Sequence, residues 1–182
     1  MANIDWDAAQ EKFGNKYKDY APVGVYKVKC VDVEFKTTST GSIAQKFQFE
    51  EDEKYQYPTA DHWLSFNNDQ FRVWHEKNLL VLLGATETTA RTAVEKAEEK
   101  EEKSAIAKMY EAAFKQLLKK NPEVEIEVYN SYNENTGKTY ARAEFTDRSV
   151  AMPHEDSAPQ ATVSETKEEA KEEEIDLSDI PF

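Results

Sequence analysis

The chain has 182 residues, 39% hydrophobic and 32% charged, which suits one domain with a single core plus an appendage. There is no run of eighteen apolar residues, so no membrane-spanning helix is expected. The start, Met1-Ala2-Asn3-Ile4-Asp5-Trp6, lacks a basic segment followed by an apolar one, so no secretory signal is expected. A single cysteine, Cys30, excludes an intramolecular disulfide and a thiolate metal cluster and fits a reducing, cytoplasmic setting. The net charge of −13 is lopsided: ten Asp/Glu between residues 150 and 182 face only Lys167 and Lys171. Most of the acidity is therefore a property of the C-terminal segment and says little about the partners of the rest.

In chain order, Asp5 caps a short predicted helix through Phe13, with Trp6, Ala9 and Phe13 on one face. After Pro22, Val23–Phe35 reads as a long strand. Strict alternation assigns Val25, Lys27, Lys29, Val31, Val33 and Phe35 to one side and Tyr26, Val28, Cys30, Asp32 and Glu34 to the other. A turn over Thr37–Ser42 leads to a second strand, Ile43–Glu50, in which Phe47 and Phe49 read as core. Cys30 also reads as core. An acidic loop, Glu50–Lys54, precedes a third strand over His62–Phe66. Asn67-Asn68-Asp69 starts a helix over Gln70–Leu83, whose packing face is expected to hold Phe71, Trp74, Leu79, Leu82 and Leu83, and Gly84 ends it.

Residues 87–120 read as helical again. Glu95–Lys103 is charged on all sides. Ile106, Met109, Tyr110, Ala113, Phe114 and Leu117 then form a stripe that suits either folding back on the strands or a homodimer contact. After Asn121-Pro122, a hairpin closes the domain. Val124, Ile126 and Val128 alternate with Glu125, Glu127 and Tyr129; Asn133–Gly137 turns; Ala141, Ala143 and Phe145 lie opposite Tyr140 and Arg142. The expectation is a mainly β domain over residues 1–149. It is a five-stranded OB-fold barrel, with the helix between strands three and four extended by a helical insert at about 87–120.

From residue 150 the composition turns to Ala, Pro, Ser, Thr, Glu and Lys, the signature of a disordered acidic tail. The tail ends in an apolar, acidic tip, Ile175-Asp176-Leu177-Ser178-Asp179-Ile180-Pro181-Phe182, suited to a tethered peptide ligand. This ending resembles that of bacterial and phage single-stranded DNA-binding proteins, which finish in an acidic stretch and Asp-Ile-Pro-Phe; Asp179-Ile180-Pro181-Phe182 matches residue for residue. The domain resembles the phage and plasmid type from Gram-positive bacteria, with Gly24-Val25-Tyr26 opening the barrel and Thr136-Gly137-Lys138 in the closing hairpin. The resemblance implies sequence-nonspecific binding of single-stranded DNA in replication, recombination or repair. It also implies recruitment of replication and recombination proteins by a tip (Asp176, Asp179, Ile180, Pro181 and Phe182). Their pocket would hold Phe182, with basic groups for the carboxylates.

Such binding needs cations for phosphates and aromatic faces for bases. The cations are Lys27 and Lys29 on the first strand, Lys46 on the second, and Lys138 and Arg142 on the last; the stacking set is Trp63, Tyr129 and Tyr140. Trp63 competes with Leu64 and Phe66 for the core. Tyr140 does not, because Ala141, Ala143 and Phe145 already supply it. Trp6, Phe71 and Trp74 sit in helical patterns and read as packing. Two rival readings are a metal-dependent nuclease, resting on Glu34-Phe35-Lys36 and Asp61-His62, and an adaptor that recruits partners without holding DNA. The first has no second carboxylate placed by spacing. His62, His75 and His154 lack ligand spacing and no glycine-rich phosphate loop is present, so no metal, cofactor or catalysis is expected.

Overall fold

The strands begin where the apolar alternation begins. In the computed structural model, residues 18–150 are described; the helix expected over Asp5–Phe13 and the acidic tail with its tip lie outside the described residues. The strands are β1 (Gly24–Thr37), β2 (Ser42–Phe49), β3 (Ala60–Ser65), β4 (Glu123–Asn133) and β5 (Lys138–Phe145). Three helices, α1 (Asp69–Leu82), α2 (Glu87–Glu98) and α3 (Lys103–Leu118), stand between β3 and β4. The sheet closes into a barrel in the order β1-β2-β3-β5-β4, its seam the parallel contact of Ala60 with Ala143. This is a mostly β, five-stranded OB-fold barrel with the helices inserted where the sequence places them.

β1 closes the barrel by serving two partners. Gly24–Lys29 pairs with β4 and Cys30–Thr37 with β2. The register shifts between Cys30 and Asp32, and this bulge overturns the strict alternation expected for the strand. Val28 and Cys30 point inward before it and Val33 after it, with Phe35 packed against the core, whereas Val25 and Val31 are exposed. One extra residue in a strand moves every later side chain to the opposite face. Inside, Phe47 meets Phe145 and Phe114 edge-on at 5.3 and 5.7 Å. Burial, then the neighbouring Asp32, pushes the Cys30 thiol up to about 12, so it stays a protonated core group.

α1 begins at Asn68, whose side chain accepts from the Phe71 amide at 3.2 Å, and the chain breaks at Gly84 in a left-handed conformation (φ 105°). Its packing face differs from the expected one. Arg72, His75 and Glu76 are buried with Leu79 and Leu80, and Trp74 is exposed. The reason is tertiary. Glu98 of α2 binds the Arg72 guanidinium through two nitrogens, Asp69 adds a bond at 2.8 Å, and the Phe66 ring covers it at 4.5 Å. Gln45 of β2 donates to Glu76, and His75 Nε2 lies 2.9 Å from the Val150 carbonyl. Partners that α1 meets only on docking thus make its polar side buriable.

The helical run over 87–120 is two helices. Thr86 caps α2, and α3 restarts after Glu102. The apolar stripe of α3 folds back on the barrel, with Phe114 5.6 Å from Phe35 of β1, so of the two options the intramolecular one is realised.

Candidate nucleic-acid interface

Alternation turns Ala44, Lys46 and Gln48 of β2 and Asp61, Trp63 and Ser65 of β3 outward, because Ile43, Gln45, Phe47, His62 and Leu64 take the inside. The register then sets them in rows. Glu34 lies beside Lys46, Lys46 beside Asp61, Asp61 reaches Arg142 of β5 at 3.9 Å, and Arg142 pairs with Tyr129 of β4. One row therefore crosses all five strands, alternating in charge and ending on an aromatic ring. In the next row Lys36, Ala44 and Trp63 stand side by side. Leu64 has the core position that competed with Trp63, and Trp63 is 60% exposed, with only the Ala44 methyl as its cross-strand neighbour on β2.

The backbone of β5 pairs with that of β3 only at Ala60–Ala143, so Tyr129–Asn133 and Lys138–Arg142 run on as a two-stranded arm. Tyr129, Ser131, Lys138, Tyr140 and Arg142 share one face of the arm by register. The Asn133 side chain accepts from the Thr136 amide at 3.2 Å, and Gly137 takes the positive φ (63°) that closes the turn. Tyr140 is exposed, its hydroxyl 3.4 Å from Thr136 Oγ1. Tyr129 is half-buried. Burial, then the charge of Glu144, holds its phenol above the usual range, so it presents a neutral ring at physiological pH.

Six of the eight expected residues therefore share the outer face of β2, β3, β5 and β4: Lys46, Trp63, Tyr129, Lys138, Tyr140 and Arg142. Lys27 and Lys29 do not join them. They point outward where β1 pairs with β4, opposite Glu125 and Glu123, and Lys29 also bonds Glu50 at 3.1 Å. Two residues were not among those expected on the interface. Lys36 reaches the Trp63 row only because the bulge resets β1. Tyr132, 64% exposed on the reverse face of the arm, is left in solvent because the hairpin outruns the barrel.

The carboxylates of the nuclease reading stand on this face too. Glu34 lies 3.6 Å from Lys36, and Asp61 faces Arg142. Among the described residues no group of three or more His, Cys, Asp or Glu is arranged to hold a metal ion. His62 is buried, its ring 4.9 Å from that of His75. Among the described residues no helix is long and apolar enough to cross a membrane. No protein-family model matches the chain, and no curated protein matches it.

Proposed function

We propose that this chain binds single-stranded DNA without sequence preference across the outer face of β2, β3, β5 and β4, and performs no catalysis. The observation that supports this most is Trp63, an indole 60% exposed on a barrel whose interior had room for Leu64 instead. A flat aromatic beside a small residue and a lysine is the arrangement on which a base stacks while its phosphate meets a cation. Tyr140, with Lys138 and Arg142 on the same face of the arm, offers a second such point. Cations alternate with Glu34 and Asp61, so stacking carries more of the affinity than charge does. In this reading the tip Asp176–Phe182 recruits replication and recombination proteins in the cytoplasm of a bacterial host, and the tail's carboxylates compete with DNA for the cations.

The alternation of charge also favours a second reading, an adaptor that recruits partners without holding DNA. Titrating oligo-dT against intrinsic tryptophan fluorescence at two salt concentrations separates the two. The full chain is expected to be quenched and to bind more weakly as salt rises, and a truncation after Val150 is expected to bind more tightly. Absence of binding by both proteins at low salt leaves the adaptor.

A further inference from the structure

The face assigned to DNA carries carboxylates that binding phosphate does not call for. Glu34, Lys46, Asp61 and Arg142 stand in one row, so the sign of charge alternates from strand to strand, neighbouring strands lying about 4.8 Å apart. Asp61 is held from two sides: Oδ1 accepts from Thr59 Oγ1 at 2.9 Å, and Oδ2 lies 3.9 Å from Arg142 Nη1. Glu34 Oε2 lies 3.6 Å from Lys36 Nζ. Beyond Arg142, Glu127 and Glu144 face one another across β4 and β5, next to Tyr129. Burial first, then Glu144, Asp61 and Glu127, hold the Tyr129 phenol above its usual range, and Arg142 opposes them. Lys36, Lys46, Arg142 and Tyr129 thus each have a carboxylate for a neighbour.

Such a face treats two forms of DNA differently. A duplex carries one phosphate charge per about 1.7 Å of its axis and keeps its base faces stacked inside. It gains nothing from the rings of Trp63 and Tyr140, and phosphates that reach Lys46 or Arg142 bring others against Glu34 and Asp61. A single strand turns about its backbone bonds. It can lay bases on the rings, set one phosphate beside a cation and turn the next away from the carboxylate. Attraction alone would favour the denser polyanion, so discrimination against duplex needs a repulsive element. We propose that Asp61 and Glu34 are specificity residues, which repel duplex DNA from the outer face and leave that face to single strands. This selectivity rests on the DNA-binding reading above and supplies its source.

Fluorescence anisotropy of a labelled oligo-dT and of a labelled duplex of equal length, each titrated with the full chain at one low salt concentration, reads the ratio of the two affinities. The acidic tail is present in both titrations. Asp61→Asn keeps an acceptor for Thr59 and Glu34→Gln keeps the side-chain shape, and circular dichroism monitors the barrel in each. Either variant is expected to bind duplex about tenfold more tightly than the parent, with oligo-dT affinity changing by less than about threefold. Glu34→Gln reads the same repulsion should Asp61→Asn unfold. An equal gain for both ligands overturns the proposal, because the carboxylates would then only restrain their neighbouring cations. So does a parent that binds duplex as tightly as oligo-dT, and so does a duplex affinity that neither variant raises. Absence of oligo-dT binding by the parent and by both variants overturns the DNA-binding reading itself, and the proposal with it.

Discussion

The outer face of the barrel and the seam beneath α1 use the same residue types to opposite ends. On the face, Arg142 lies 3.9 Å from Asp61 with its side chain 45% exposed, and the rings of Trp63 and Tyr140 stand in solvent. In the seam, Arg72 is buried, held by Glu98 and Asp69, and the Phe66 ring lies over it. An exposed pair contributes at most about 1 kcal/mol and leaves its partners able to exchange for a phosphate. A buried pair fixes one docking angle, because removing either partner strands a desolvated charge. The comparison teaches that the protein uses its polar interior to position α1 while ring faces on the outside stay uncovered.

The sharpest way to break this contrast is Glu98→Ala. Arg72 then loses its bidentate partner and the Tyr110 hydroxyl loses its acceptor at 2.5 Å. Glu98 is not fully buried, so the expected loss is at the lower end of the range for broken buried pairs, about 3 kcal/mol in denaturant unfolding. An unchanged midpoint would show that the seam is not structural. Trp63→Ala is the converse. Oligo-dT affinity is expected to fall by about 1–3 kcal/mol, roughly 5- to 150-fold, with the melting temperature unmoved. A melting-temperature drop without an affinity loss would make Trp63 a packing residue.

Glu76→Gln comes next and is read as a pH dependence. Burial raises the Glu76 carboxyl well above its usual range, Gln45 and Arg72 oppose the shift, and Glu98 adds to it; Tyr110 and His75 flank it, and His75 is held neutral by burial with its pKa lowered to about 4. A carboxyl raised in the folded state favours folding most fully below its unfolded pKa of 4.5, and that contribution is lost as pH rises. A histidine lowered in the folded state acts oppositely, costing stability as pH falls from 6.5 towards 4. Urea midpoints of Glu76→Gln are therefore expected to lose the decline with rising pH and keep the acid limb. A decline identical to that of the unsubstituted chain would place its origin elsewhere. The smallest effects separate the cations. Lys46→Ala is expected to make the salt slope of DNA binding shallower by about 0.7, one phosphate contact, and Lys27→Ala to leave it unchanged. Equal changes in both would extend the interface over the β1–β4 face.

Much of this was legible beforehand, for physical reasons that can be named. Strands alternating every two residues, as in Val124–Val128 and Phe47–Phe49, identify their buried face without reference to anything distant, and Asn68 and Gly84 mark the ends of α1 through local hydrogen bonding and backbone freedom. The face carrying Tyr140 and Arg142 followed from Ala141, Ala143 and Phe145 on the other side. Alternation could not see the bulge at Cys30–Asp32, which arises because β1 must bend to serve β4 and β2 in turn, and so Lys36 went unnoticed beside Trp63.

The sequence by itself determined the order of elements, the barrel class, and which residue types were available for stacking, because these depend on periodicity and on neighbours a few residues away. Only the tertiary structure decided the orientation of α1, since Glu98, Gln45 and the Val150 carbonyl make Arg72, Glu76 and His75 buriable from 26, 31 and 75 residues away. It also decided which cations meet aromatic rings and which meet glutamates. That depends on strand register, and a register is a property of two strands that no single strand contains.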